Sequence, residues 1–137
     1  MSDEYSVPRF TVGSLDECDI QGAVLRNASF EGVSMRHARF DESDLTGSKF
    51  YLVAATDTSF SGAILRSVRF LGGSFRGSDF AGADLSEAIF AADNMGGAVD
   101  ISGADFSGAK VDQSTFQSFI YDDETKFPSG LEVINKS

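Results

Sequence analysis

The chain has 137 residues, 42% of them apolar, with 13 Phe, 3 Tyr, no Trp and a formal net charge of −10. That length suits one domain with its own core, while the charge argues against direct binding to nucleic acid or to an anionic membrane surface. No stretch approaches the roughly 20 apolar residues of a spanning helix. The lone Cys18 excludes an internal disulfide and no secretory leader is evident, which together predict a soluble protein of a reducing cytoplasm.

Residues 1–9 read as a lead-in or thin cap, polar at Asp3, Glu4 and Ser6 and closed by Pro8. From Phe10 a large apolar residue returns at every fifth position: Phe10, Leu15, Ile20, Leu25, Phe30, Met35, Phe40, Leu45, Phe50, Ala55, Phe60, Leu65, Phe70, Phe75, Phe80, Leu85, Phe90 and Met95, with only Ala55 small. A helix would need a period of 3.6 and a half-buried strand a period of 2, so a period of five predicts a stacked coil whose interior is revisited once per side. Two places before each large residue stands a small or β-branched one, as at Ala28, Val33, Ser48, Val53, Ala63 and Gly73. Two places after it glycine recurs, as at Gly22, Gly47, Gly62, Gly82 and Gly97, where corners are expected.

The motifs AGADLSEAIF, SGAILRSVRF and SGADFSGAKV resemble the pentapeptide-repeat family, whose units read A-(D/N)-(L/F)-x-x. The resemblance spans about residues 8–121. It implies an all-β fold, a right-handed quadrilateral parallel β-helix with four five-residue sides per coil. Residues 10–121 would then make about five and a half coils, stacked roughly 4.8 Å apart.

Residues twenty apart should stack in columns. One column holds Phe10, Phe30, Phe50, Phe70 and Phe90; a second Leu25, Leu45, Leu65 and Leu85; a third Ile20, Phe40, Phe60 and Phe80. The fourth, Leu15, Met35, Ala55, Phe75 and Met95, is uneven, and Ala55 should leave a void or draw in a neighbour. After Phe90 the register fails, since an uninterrupted count would bury Asp93 and Asp100. One inserted residue within 91–99 restores Val99, Ile101, Ala104, Phe106, Val111 and Phe116 to inward sites, as a bulge or small loop permitted by Gly96 and Gly97. Residues 122–137 lose the spacing. Their apolar members Phe127, Leu131, Val133 and Ile134 form either an end cap or a dimer contact, the end of the helix being where subunits of this family often meet.

The sequence offers no catalytic constellation, metal cluster or cofactor motif. Cys18 takes an inward small site as an inert thiol, and His37 an outward corner beside Arg36. Sorting charge by side under a one-residue insertion leaves one strongly acidic side, where Asp19, Asp41, Glu42, Asp79, Asp100, Asp122 and Asp123 face Arg39 alone. The Phe10 side is basic on balance, with Arg9, Lys49, Arg69 and Lys110 against Glu31 and Asp112. It also carries outward apolar residues, Tyr51, Leu52, Leu71 and Ile89. Two functions follow, both non-catalytic. One is a protein-binding scaffold using that apolar patch. The other comes from the resemblance: some pentapeptide-repeat proteins are DNA mimics that bind DNA gyrase and confer fluoroquinolone resistance, a role for which Asp19, Asp41, Glu42, Asp79 and Asp100 are the candidate contacts.

Overall fold

The computed structural model describes residues 8–131, and those residues form a parallel β-solenoid of about six turns. Seven short strands follow one another: β1 (Arg9–Ser14), β2 (Ser29–Ser34), β3 (Lys49–Tyr51), β4 (Arg69–Leu71), β5 (Ile89–Ala91), β6 (Val99–Asp100) and β7 (Phe119–Ile120). The first five make one parallel sheet in sequence order, with Phe10, Phe30, Phe50, Phe70 and Phe90 in register. The other three sides are held by isolated parallel bridges such as Arg39↔Ser59, Asp44↔Ile64 and Ala54↔Ser74, each twenty residues apart. No helix among the described residues is long and apolar enough to cross a membrane.

The five-residue side follows from how each corner turns. On most sides the N–H of the small residue donates back to the carbonyl of the preceding large one, as Ser48 N to Leu45 O at 3.0 Å, closing a four-residue turn. The third residue of such turns has positive φ whether or not it is glycine: Glu17 (62°), Asn27 (58°), His37 (57°), Asp57 (55°), Ser67 (59°) and Glu87 (61°) join Gly22, Gly47 and Gly62. The left-handed conformation belongs to the corner, and glycine relieves its steric cost.

Inside, two phenylalanine stacks lock together. Phe10, Phe30, Phe50, Phe70 and Phe90 lie nearly parallel with centroids 4.3–5.2 Å apart, and Phe116 continues the stack at 5.2 Å from Phe90. Phe40, Phe60, Phe80 and Phe106 form a second stack at 4.8–5.1 Å. Across each coil the stacks meet edge to face, as Phe50–Phe60 at 89° and Phe70–Phe80 at 88°. Both geometries suit the aromatic quadrupole. The hydroxyls at small inward sites are all paired: Ser43 donates to Phe40 O, Ser48 to Leu25 O, Ser78 to Ala55 O and Thr58 to Met35 O. Ala55 is fully buried, and the Phe75 ring below it is drawn in beside it, reaching to 6.1 Å from Phe50 and 6.2 Å from Phe60.

The register break differs from the sequence expectation in size. Asp100 bridges Ser74, Asp105 bridges Asp79, Lys110 bridges Asp84 and Phe116 bridges Phe90, each twenty-six residues apart where earlier bridges span twenty. Six residues are inserted, not one, and they stand off as a loop over 91–98. Met95 is consequently 87% exposed rather than inward, and Ile101 follows Phe75 in the uneven column while Phe106 follows Phe80. Asp93 organises the loop: its Oδ1 accepts the N–H groups of Met95 (2.7 Å) and Gly97 (2.9 Å), and its own N–H donates to Gly97 O at 2.9 Å. Gly97 therefore belongs to this loop and not to a corner.

Past Tyr121 the five-residue spacing is lost by one added residue, but the coil continues. Lys126 bridges Asp105 twenty-one residues back, and Phe127 lies 6.2 Å from Phe106 at 7°. With Phe116, Phe119 and Tyr121 it forms a half-buried aromatic plug in the last coil, adjacent centroids being 5.4–5.6 Å apart. Leu131 is half-buried beyond it. Val133 and Ile134 lie outside the described residues.

Candidate functional site

The outward residues of each side sort into columns, named here for the coil 50–69. The acidic residues at the position before the large residue share one local duty. In this ladder the N–H of the residue just after the large one finds no backbone partner on the non-strand sides, and the carboxylate two residues earlier accepts it. Asp44 takes Thr46 N (3.1 Å), Asp79 takes Ala81 N (2.8 Å), Asp84 takes Ser86 N (3.1 Å), Asp100 takes Ser102 N (3.0 Å) and Asp105 takes Ser107 N (2.8 Å). The second carboxylate oxygen is free to reach an arginine on the neighbouring coil: Arg26–Asp44 (2.7 Å), Arg66–Asp84 (2.6 Å) and Arg76–Asp100 (3.1 Å). These donors favour the charged form. For Asp84, burial alone would raise the pKa, but the Ser86 hydroxyl, the Arg66 guanidinium and the Ser86 N–H outweigh it and hold the carboxyl at about 2. Asp19 is lowered by the Gln21 side chain and N–H, and Asp105 by the Ser107 hydroxyl and N–H.

The six-residue loop moves the charges that follow it by one side. Asp100 lies on the Ala55 side against Arg76, and Asp122, which accepts Gly103 N at 3.0 Å, belongs there too. The predicted acidic set is thus divided: Asp19, Asp41, Glu42 and Asp79 share the Phe60 side, Asp100 does not, and Asp105 takes its place in the column. That side also carries Arg39 and Lys126, so it is acidic by five carboxylates to two cations. Asp41 is 3.8 Å from Arg39 through Oδ2, while its Oδ1 is buried without a hydrogen-bond partner. Glu42 stands at a corner with φ 57°.

The Phe50 side is interrupted by the 91–98 loop. Tyr51 and Leu71 are in register on β3 and β4, and the loop comes down beside them, the Asn94 side chain meeting the Tyr51 hydroxyl. Asp93 packs onto Gly72, where an added Cβ would lie 2.6 Å from its Oδ2. Between loop and sheet runs an open groove of about 460 Å³, walled by Ala92, Asp93 and Asn94, floored by Tyr51 and Leu71 and rimmed by Lys49, Arg69 and Glu31. The predicted apolar patch is therefore only in part a free surface. Tyr51, Leu71 and Ile89 are half-buried, and Leu52, 43% exposed at its corner, is outside the groove. Sequence reasoning missed Arg69, Asp93 and Asn94 as members of one site. Its available signal was Asp93 falling on a small inward site of the uninterrupted count, together with Gly96 and Gly97.

Cys18 is half-buried and unpaired in the first coil, and His37 is exposed at a corner of positive φ. Among the described residues no group of three or more His, Cys, Asp or Glu gathers at metal-binding distance.

Comparison with known proteins agrees with this architecture. Pentapeptide-repeat family profiles match residues 14–50 with 8 copies and residues 55–98 with 9 copies. The fold is similar to that of a pentapeptide repeat protein from the Arabidopsis thaliana thylakoid lumen (23% identity, TM-score 0.57, covering 77% of this chain and 66% of that one). It is similar also to HetL, a pentapeptide repeat protein involved in heterocyst differentiation regulation in the cyanobacterium Nostoc sp. strain PCC 7120 (22% identity, TM-score 0.52, covering 74% of this chain and 53% of that one). QnrB1, a plasmid-mediated fluoroquinolone resistance protein, superposes more loosely (24% identity, TM-score 0.38, covering 86% of this chain and 64% of that one). The chain thus spans about half the length of HetL and just under two thirds of the other two. None of the curated proteins is significantly similar in sequence. On its repeats, its parallel four-sided coil and the two profile matches, which together cover more than half of its residues, the chain belongs to the pentapeptide-repeat family.

Proposed function

We propose that the chain is a non-catalytic, cytoplasmic protein-binding rod that engages its partner in the groove beneath the 91–98 loop. The observation that carries this reading is the interruption itself. The other outward features recur from coil to coil, and a partner could slide along them. The groove occurs where an inserted segment stands against the sheet, and it joins an apolar floor to a charged rim, the composition of a small contact surface. Titratable groups elsewhere are distributed along the repeats instead of converging, which supports binding over catalysis. A photo-crosslinking residue in place of Ala92 should give a discrete adduct in native lysate, and one in place of Ser61 on the opposite side should not. Equal labelling from both positions, or none from Ala92, contradicts the reading.

The second reading is DNA mimicry toward a type II topoisomerase such as gyrase. It is favoured by Asp19, Asp79 and Asp105 occupying one column of the Phe60 side. Against it stand the local duty of those carboxylates and the presence of Arg39 and Lys126 in the same column. Inhibition or protection of gyrase in a supercoiling assay, lost in the triple variant Asp19→Asn, Asp79→Asn, Asp105→Asn, would favour it. No effect at large protein excess removes it.

A further inference from the structure

The charges lining the groove are not equally committed. Glu31 accepts the Ser29 hydroxyl at 2.9 Å and lies 3.4 Å from Lys49 Nζ and 3.9 Å from Arg9. The Ser29 hydroxyl and the Lys49 and Arg9 charges hold its carboxyl below the usual range, so it stays ionised and keeps Lys49 occupied. Asp93 spends its Oδ1 on two loop N–H groups. Arg69 is exposed and makes no ion pair among the described residues. Leu71 is two residues along the same strand and so shares its outward face, and Tyr51 is in register with Leu71 on the adjacent strand. An uncommitted guanidinium thus stands beside an apolar floor, with the Asn94 amide on the facing wall.

Resting on the protein-binding reading above, we propose that the groove receives an extended segment of a partner protein bearing a carboxylate next to a large apolar side chain. The carboxylate pairs with the Arg69 guanidinium, whose planar fork suits two parallel hydrogen bonds, and the apolar group lies on Leu71 and the Tyr51 ring. Charge complementarity selects this occupant. On the Phe60 and Ala55 sides an acidic segment meets mainly carboxylates, whereas on the Phe50 side it meets Arg9, Lys49 and Arg69 against Glu31 and, on the loop wall, Asp93, whose Oδ1 is taken up by two loop N–H groups. Arg69 is the cation there that makes no ion pair among the described residues.

The test is a titration of the isotope-labelled full chain, followed by NMR, with two synthetic peptides: acetyl-Gly-Gly-Asp-Phe-Gly-Gly-amide and its twin with Asn in place of Asp. The acidic peptide should shift the resonances of Tyr51, Leu71 and Asn94 and bind about tenfold tighter than the amide twin. Arg69→Gln should abolish the difference, while Arg36→Gln on the Ala55 side should preserve it. Equal binding of the two peptides, a preference that survives Arg69→Gln, or shifts confined to other sides overturns the proposal. A partner adduct at Ala92 combined with equal peptide binding retains docking in the groove and removes the carboxylate. A peptide preference abolished by Arg69→Gln without any adduct at Ala92 upholds the ligand chemistry and removes docking under native conditions.

Discussion

A carboxylate at the position before the large residue completes the hydrogen bonding of its own corner, and this explains why acids recur along the outside of an uncharged core. Their lowered pKa values carry a sign. A group whose pKa falls on folding stabilises the native state above its unfolded value and loses that contribution as pH drops toward the folded one. For Asp84 the window runs from about pH 4 to about pH 2. Replacing it with Asn should lower stability at neutral pH by about 1 kcal/mol, a figure discounted for partial exposure, and should flatten the acid dependence within that window in urea melts taken at several pH values. Gly73 tests the backbone instead: φ is 77° and an added Cβ would lie 2.6 Å from Val53 O. Gly73→Ala should cost about 2 kcal/mol or more in chemical denaturation, and Gly82→Ala, where no atom lies within 4 Å, distinctly less. The sequence showed Asp in the repeat but not its partner, because a bond to the N–H two residues away becomes visible only once the corner is known.

At the scale of the element, the columns were legible because side chains twenty apart are nearly identical, and Phe30, Phe50 and Phe70 announce their stack. The size of the loop was not. An insertion of one and an insertion of six both advance a five-residue pattern by one place, so Val99 and Ile101 return inward in either case. Only the bridges across the loop, such as Ser74 to Asp100, separate them. That ambiguity put Asp100 and Lys110 on the wrong sides, and it concealed the groove that Asp93 and Asn94 wall. Excising residues 92–97 should close the coil at twenty residues, leave a cooperative far-UV melt and remove the Ala92-side crosslinking site; loss of folding would show that the loop is structurally required. Within the core, Phe75 occupies the space Ala55 leaves. Ala55→Phe should therefore destabilise the rod by about 1–3 kcal/mol in a denaturant melt, although it restores the repeat consensus.

Over the whole molecule, stability is shared along the rod, because each coil donates and accepts hydrogen bonds to its neighbours and buries rings from both. The regular part makes a stiff, acidic support. On the proposed reading, the irregular part, one loop against one side, gives a partner a unique register. Both the redistribution of charge and the position of the groove depend on which residues the bridge columns place side by side. The direct measurement is disulfide formation in two double-cysteine variants, each carrying Cys18→Ser: one with cysteines at Asp79 and Asp105, the other at Asp79 and Asp100. Adjacent positions in the parallel ladder, about 4.8 Å apart, lie within disulfide range. Mass spectrometry after mild oxidation should find the first pair linked and the second reduced. A linked second pair with an unlinked first would mean a one-residue insertion, and would contradict both the side assignments and the groove.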